Sequence, residues 1–252
     1  MSRHDVLTVD VGNSSIGLGS WEGEQVSVTH VTDPVQAAEM LVGESVGIAV
    51  SGPRWDALAK VVAERGKASL RRLTGVPLPL ADASLSESSG ADRLAAVLGA
   101  LPGPAVVVDA GTAVTVDLVD REGVFCGGFI APGPTAAFAG LHAHAPALPL
   151  LATTALEAGC PAPGLDTLGA LSGGVWGLAV GGVDHLVEAA FASLADKEAK
   201  LCVTGGWGRA WLAASRHTAV AGTGITLVSG REVDWDEALV HRGLRLWAGT
   251  QV

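Results

Sequence analysis

A chain of 252 residues, 48% of them hydrophobic and 17% charged, is long enough for one large domain or two small ones and apolar enough for a packed core. Its formal net charge of −10 excludes a general nucleic-acid surface, which needs clustered Lys and Arg, so any anionic ligand must be held by backbone N–H groups, a placed Arg or a metal ion. Apolar runs are broken by Asp or Gly short of a bilayer span and the N-terminus lacks a secretory leader, so a cytoplasmic protein with no membrane helix is expected.

In chain order, "LTVDVGNSSIGL" reads as strand, tight glycine turn and strand, and "WEGEQ" as a hairpin turn into a third strand ending near residue 28. Helices are expected over "PVQAAEML" and "WDALAKVVAERG". The polar loop "ADASLSESSG" precedes a helix, "GADRLAAVLGAL", whose Leu94, Val97, Leu98 and Leu101 fall at helical spacing. A cut at "LPGP" gives two halves, residues 1–102 and 103–252. Residues 104–130 then repeat the opening plan, with a D-x-G-T turn in "VVVDAGTAVTVDL", a "DREG" turn and a third strand. A long helix follows in "GLDTLGALSGGVWGLAVGGVDHLVEAAFASL". "LCVTGGWGRAWLAA" reads as strand, Thr204-Gly205-Gly206 turn and helix, and "VDWDEALVHRGLRLW" as a last helix with Asp234 as N-cap and Glu237 completing a capping box.

The repeated turn carries the chemistry. Gly12 and Gly111 remove side chains, so backbone N–H groups can approach a ligand, and Asn13 and Thr112 add polar groups at the same spot. Such a turn suits a phosphate, and the carboxylates of Asp10 and Asp109 then require a cation between. One copy alone is an ordinary hairpin turn; two copies in equivalent places, with T-G-G after a later strand, point to a phosphate clamp with T-G-G against the nucleoside. No Walker A loop occurs. Cys126, Cys160 and Cys202 form neither a disulfide framework nor a zinc site, and His142 and His144, an H-x-H pair without a third ligand, read as ordinary surface or core residues. Trp207 either packs in the core or touches the adenine.

Two D-x-G turns on duplicated strand units plus T-G-G resemble the acetate and sugar kinase, Hsc70 and actin superfamily. More narrowly, "DVGNSSIGLG", "GADRLAAVLGA", "VVDAGTAVTVDLVD", "GGFIAPG" and "VTGGWG", in that order, resemble the type III pantothenate kinases. The resemblance implies an α/β chain with a duplicated ribonuclease-H-like (actin-like ATPase) fold, mixed sheets flanked by helices, an ATP cleft between the halves, and a homodimer. It implies ATP-dependent phosphorylation of (R)-pantothenate to 4′-phosphopantothenate, the first step of coenzyme A biosynthesis, with Mg2+ accompanying the nucleotide and K+ or NH4+ bound as a monovalent cation. Carried over, Asp10, Val11, Gly12, Asn13, Ser14, Ser15, Ile16 and Gly17 hold the ATP phosphates, with Thr112, Gly205 and Gly206 as further nucleotide contacts. Asp109 binds the cation. Gly90, Ala91, Asp92 and Arg93 line the acceptor site, Asp92 is the general base, and Thr167 reaches the acceptor from the other subunit.

The residue chemistry offers plainer readings of the same positions: Asp92 as a first-turn helix acid, Arg93 as a surface ion-pair partner, Thr167 as a helix cap. In one respect the chain departs from the family pattern, with Ala83 where the family carries an acceptor-pocket tyrosine and no tyrosine anywhere. Two other functions therefore stand beside the kinase: a non-catalytic nucleotide-binding accessory protein, and a kinase of another small hydroxylated acceptor.

Overall fold

The computed structural model describes residues 7–77, 80, 89–151, 163–215, 218–220, 226–228 and 231–250. Its contacts gather into two units, one spanning Met1–Pro102, Arg121–Phe125 and Asp236–Val252, the other Gly103–Asp120 and Cys126–Trp235.

In the first unit the chain runs β1 (Leu7–Val11), β2 (Ile16–Glu22), β3 (Gln25–Val31), α1 (Pro34–Met40), β4 (Gly43–Ala49), α2 (Gly52–Arg65), β5 (Ala68–Arg72) and α3 (Ala91–Gly99). The strands form one sheet in the order β3-β2-β1-β4-β5. β1 and β2 pair antiparallel with Asp10 opposite Gly17, and β4 lies parallel to β1 with Ala49 opposite Val11. Alternation sends Val9 and Val11 to one face, where with Ile16, Leu18, Ala37, Leu41, Trp55 and Leu58 they form a core under α1 and α2. Asp33 caps α1, accepting from the Val35 N–H at 2.9 Å, and Gly66 ends α2 in the left-handed region with φ 62°.

The second unit repeats that order with additions. It contains β6 (Ala105–Ala110), β7 (Ala113–Val119), β8 (Phe125–Pro132), α4 (Pro134–His144), α5 (Thr167–Leu194), β9 (Lys200–Thr204), α6 (Gly208–Ala214), β10 (Thr218–Val220), β11 (Thr226–Val228) and β12 (Arg231–Trp235). Read from β8, its sheet runs β8-β7-β6-β9-β12, the same arrangement as β3-β2-β1-β4-β5, extended by β11 and β10. Two mixed sheets of one connectivity, flanked by helices, are a duplicated ribonuclease-H-like fold. The second core gathers Val106, Val108, Val114, Val116, Phe138, Trp176, Val187 and Trp211. α5 is long and apolar enough to cross a membrane by length and composition, but Val175, Trp176, Val180, Val183, Val187, Ala190 and Phe191 are buried along it, as in a core helix. Its buried Asp184 accepts from Trp211 Nε1 at 2.9 Å and from Ser215 Oγ at 2.7 Å, which ties α6 to α5.

The last helix, α7 (Leu239–Thr250), belongs to the first unit and packs on α3. α3 follows β5 and α7 follows β12, so the two occupy the same place in the repeat. They cross at glycines: a Cβ on Gly99 would overlap the Leu239 carbonyl oxygen, and one on Gly243 the Ala95 carbonyl oxygen. The expected start of this helix is corrected. Asp234 lies in β12, opposite Cys202 of β9, and Asp236 instead accepts from the Ala238 N–H at 2.9 Å. Parallel pairing with β9 outweighs the local capping pattern there.

Candidate active site

Both Asp-x-Gly turns stand at the carboxyl ends of the first strands of their sheets, β1 and β6. In the first, Gly12 N–H donates to the Ser15 carbonyl at 3.0 Å, and the N–H groups of Val50 and Ser51 donate to the Val11 carbonyl at 3.0 and 3.3 Å. Asp10, Gly12 and Ser15 are half-buried, Asn13 and Ser14 exposed, and Val11, Ile16 and Gly17 buried. Val11 and Ile16 thus anchor the turn in the core while its middle faces outward.

Gly17, the last residue of this stretch, is a glycine because of a distant one. A Cβ there would lie 3.0 Å from Nε2 of His241, on α7, and one on Gly19 would lie 2.7 Å from His241 Nδ1. His241 is 3% exposed, and its Nδ1 is 2.9 Å from the hydroxyl of Thr8, which also accepts from Trp21 Nε1 at 3.1 Å. Burial first, and then the neighbouring His30, lower the His241 pKa to about 4, with Asp236 opposing. The imidazole is therefore neutral at pH 7. It joins α7 to β1, the strand entering the first turn, and packs on Gly17 and Gly19 of β2.

The second turn is enclosed by two further glycine motifs. Gly111 N–H donates to the Ala113 carbonyl at 3.1 Å, and Gly133 N–H to the Thr112 carbonyl at 2.9 Å. A Cβ on Gly133 would overlap the Gly111 carbonyl oxygen, and one on Gly205, where φ is 92°, would lie 2.5 Å from Asp109 Oδ1. The "APG" and "TGG" segments are thus glycine where backbone presses on the turn. β9 brings Thr204 opposite Asp109. Gly206 is exposed, with nothing within 4 Å of a Cβ. Trp207 does two jobs: its ring meets Trp176 edge to face at 5.8 Å, and its Nε1 donates to the Gly111 carbonyl at 2.9 Å.

The half-buried carboxylate of Asp109 lies against Gly205, and among the described residues no group of three or more His, Cys, Asp or Glu side chains gathers that could hold a metal ion. A lone carboxylate is an oxygen donor of the kind hard cations take. His142, at the end of α4, has Nδ1 2.7 Å from the Leu148 carbonyl.

Gly90 caps α3 with φ 79°, and a Cβ there would sit 3.0 Å from Asp92 Oδ1. Asp92 lies in the first turn of α3, where the helix dipole favours a carboxylate. Arg93 stacks its guanidinium over the Phe125 ring at 5.5 Å, and Ala91, Asp92 and Arg93 are all half-buried. Thr167 is exposed at the start of α5, but the cap there is Asp166, which accepts from the Gly169 N–H at 2.7 Å. Ala83 lies outside the described residues. Within the described residues, sequence reasoning missed Arg54, at the start of α2, whose Nη1 donates to the Asn13 carbonyl at 2.7 Å and whose Nη2 donates to the Thr32 carbonyl. No local motif marks it, since only the β1–β4 pairing brings α2 to the turn.

A family model described as type III pantothenate kinase matches residues 6–189. The type III pantothenate kinase of Parafrankia sp. is 32% identical over 229 residues, 80% of this chain and 86% of that protein. That of Caulobacter vibrioides is 37% identical over 143 residues, 46% of this chain and 54% of that protein. The fold resembles a Campylobacter jejuni structure described as a conserved putative Baf family transcriptional activator, at 23% identity and TM-score 0.56, covering 95% of this chain and 96% of that one. It also resembles a putative 2-dehydro-3-deoxygalactonokinase of Sinorhizobium meliloti, at 15% identity and TM-score 0.51, covering 97% and 96%. With most of the chain matched by the family model and by a relative of near-equal extent, the protein belongs to the type III pantothenate kinase family.

Proposed function

We propose that the protein transfers the γ-phosphate of ATP to the primary hydroxyl of (R)-pantothenate, giving 4′-phosphopantothenate and ADP, the first step of coenzyme A biosynthesis. The observation that carries this reading is the pair of Asp-x-Gly turns at equivalent strand ends of two sheets of one connectivity, in a chain of this family. Each turn offers backbone N–H groups to phosphate oxygens, the first through Asp10 to Gly17 and the second through Thr112 with Gly205 and Gly206 beside it. Mg2+ enters with the nucleotide.

Asp92 accepts the hydroxyl proton as the oxygen bonds to phosphorus and the bond from phosphorus to the ADP oxygen breaks. Asp92 stands in the first turn of α3, where the helix N-terminus favours negative charge. Arg93, steadied on Phe125, binds the acceptor carboxylate, while Gly90 and Ala91 leave room for its chain. Asp109 holds the monovalent cation, which supplies positive charge beside the phosphates. Positioning and charge neutralisation then carry most of the rate.

A homodimer completes the acceptor site, with Thr167 contributed by the partner subunit. In support, α5 exposes Leu168, Gly174, Leu178 and Gly182, a surface of small and apolar residues that a second helix can approach. A turnover assay with ATP, K+ and pantothenate, run beside a panel of other hydroxylated acceptors, tests the reading. The absence of tyrosine favours one alternative, a kinase of a related acceptor, and the panel would show it as turnover with another substrate.

A further inference from the structure

Each Asp-x-Gly turn has one of its carbonyls held from outside by a side-chain donor, and the two donors occupy the same place in the repeat. Arg54 stands at the start of α2, which follows β4; Trp207 immediately precedes α6, which follows β9. β4 lies beside β1 with Ala49 opposite Val11, and β9 beside β6 with Thr204 opposite Asp109, so each crossover helix begins next to its turn. Arg54 Nη1 donates to the Asn13 carbonyl at 2.7 Å, and Trp207 Nε1 to the Gly111 carbonyl at 2.9 Å. Both contacts join residues far apart in sequence, and neither is needed to close the turn. The turn-closing bonds are Gly12 N–H to Ser15 and Gly111 N–H to Ala113.

A trans peptide points its carbonyl and its N–H in opposite directions. Holding the Asn13 carbonyl toward Arg54 therefore directs the Ser14 N–H away from it, and holding the Gly111 carbonyl toward Trp207 directs the Thr112 N–H away from the indole. A turn that binds phosphate fails if such a peptide rotates, because a carbonyl oxygen then faces the anion. Gly111 has the backbone freedom to allow that rotation. Trp207 opposes it in a second way, since its own N–H donates to the Ala110 carbonyl at 3.2 Å and its ring is seated on Trp176.

We propose that Arg54 and Trp207 are positioning residues for ATP, one to each turn, holding the Asn13–Ser14 and Gly111–Thr112 peptides with their N–H groups toward the nucleotide phosphates. This rests on the reading of the turns given under Proposed function. Sequence repetition alone does not reveal the device, because one donor is a guanidinium and the other an indole.

The test uses the full-length protein with Arg54→Lys, which keeps the charge but loses the fork that reaches two carbonyls, and Trp207→Phe, which keeps a ring on Trp176 but loses the N–H. Benzothienylalanine at position 207, of the same shape and without the N–H, covers the case in which Trp207→Phe folds poorly. The KM for ATP should rise roughly three- to tenfold in each variant, the loss of one net hydrogen bond, with the KM for pantothenate unchanged. The carbonyl carbon-13 shifts of Asn13 (Arg54→Lys) and Gly111 (Trp207→Phe), measured without nucleotide, should move upfield as each carbonyl loses its donor. A lower melting temperature with wild-type KM for ATP and wild-type carbonyl shifts would overturn the proposal and leave both residues as packing. If the wild-type protein itself failed to bind ATP in calorimetry, the reading of the turns would fall, and the carbonyl shifts would still decide whether these side chains hold the peptides.

Discussion

Nδ1 of His241 lies 2.9 Å from the hydroxyl of Thr8, two buried side chains separated by nearly the whole chain. Their contact closes the first unit: the last helix is keyed into β1, and Gly17 and Gly19 of β2 are glycine to admit the imidazole. A polar pair in this position stabilises only while the ring is neutral.

Stability should therefore depend on pH through this residue. The unfolded chain takes up the proton near pH 6.5, the folded protein only near pH 4, because burial and His30 disfavour the charged ring more than Asp236 favours it. Stability is then complete above about pH 6.5, falls as pH drops toward 4 and levels off below, by roughly 3 kcal/mol in all for this one group. Urea unfolding across pH 4 to 7 on the wild type and on His241→Asn checks this, the variant losing that part of the slope. Parallel slopes would remove His241 as the cause.

The crossing of α3 and α7 predicts a contrast between two glycines of one helix. Gly243→Ala places a methyl on the Ala95 carbonyl, backbone against backbone, and should destabilise by about 2 kcal/mol or more despite the better helix propensity of alanine. Gly249→Ala, also in α7 but with nothing within 4 Å of the new carbon, should be neutral or stabilising by up to about 1 kcal/mol. Chemical denaturation of the two variants side by side reads the difference.

Much of this was legible locally. The two strand-turn-strand units, α1, α2, α3, α5 and the T-G-G turn before α6 follow from periodicity and glycine placement, and the Asp-x-Gly turns from their repetition. α4 was not, because "PTAAFAGLHAH" is too rich in Ala and Gly to show a period, and only Phe138 and Pro134 of it are buried. Asp234 misled because a capping pattern is local and the β12–β9 register is not. Arg54 and His241 escaped as site residues for the same reason, and the reading of Trp207 stopped at core packing or an adenine contact. Each acts through a contact made by sheet order, 41, 233 and 96 residues away in sequence.

The cation assignment predicts that replacing K+ by Na+ lowers turnover. Asp109→Ala should abolish both most activity and the difference between the two salts. Initial rates in matched ionic strength check it, and equal wild-type rates in K+ and Na+ would contradict a selective site at Asp109.

Dimerisation predicts a further outcome. Leu178, 79% exposed in the middle of α5, should tolerate Leu178→Arg in the fold of one chain while the charge opposes association. Sedimentation should give a dimer for the wild type and a monomer with reduced activity for the variant. A wild-type monomer with full activity would exclude the partner's Thr167 from the acceptor site.

The central claim is transfer of phosphate from ATP to pantothenate with Asp92 as the base, and single-turnover kinetics on the wild type and Asp92→Asn, with calorimetric ATP titration of both, test it most directly. The account predicts pantothenate-dependent formation of ADP and 4′-phosphopantothenate by the wild type, a fall of roughly 10² to 10⁴-fold in Asp92→Asn, and nearly unchanged ATP affinity. Undiminished transfer by Asp92→Asn would remove Asp92 as the base, and a wild-type protein that binds ATP but phosphorylates no acceptor would contradict the kinase reading itself.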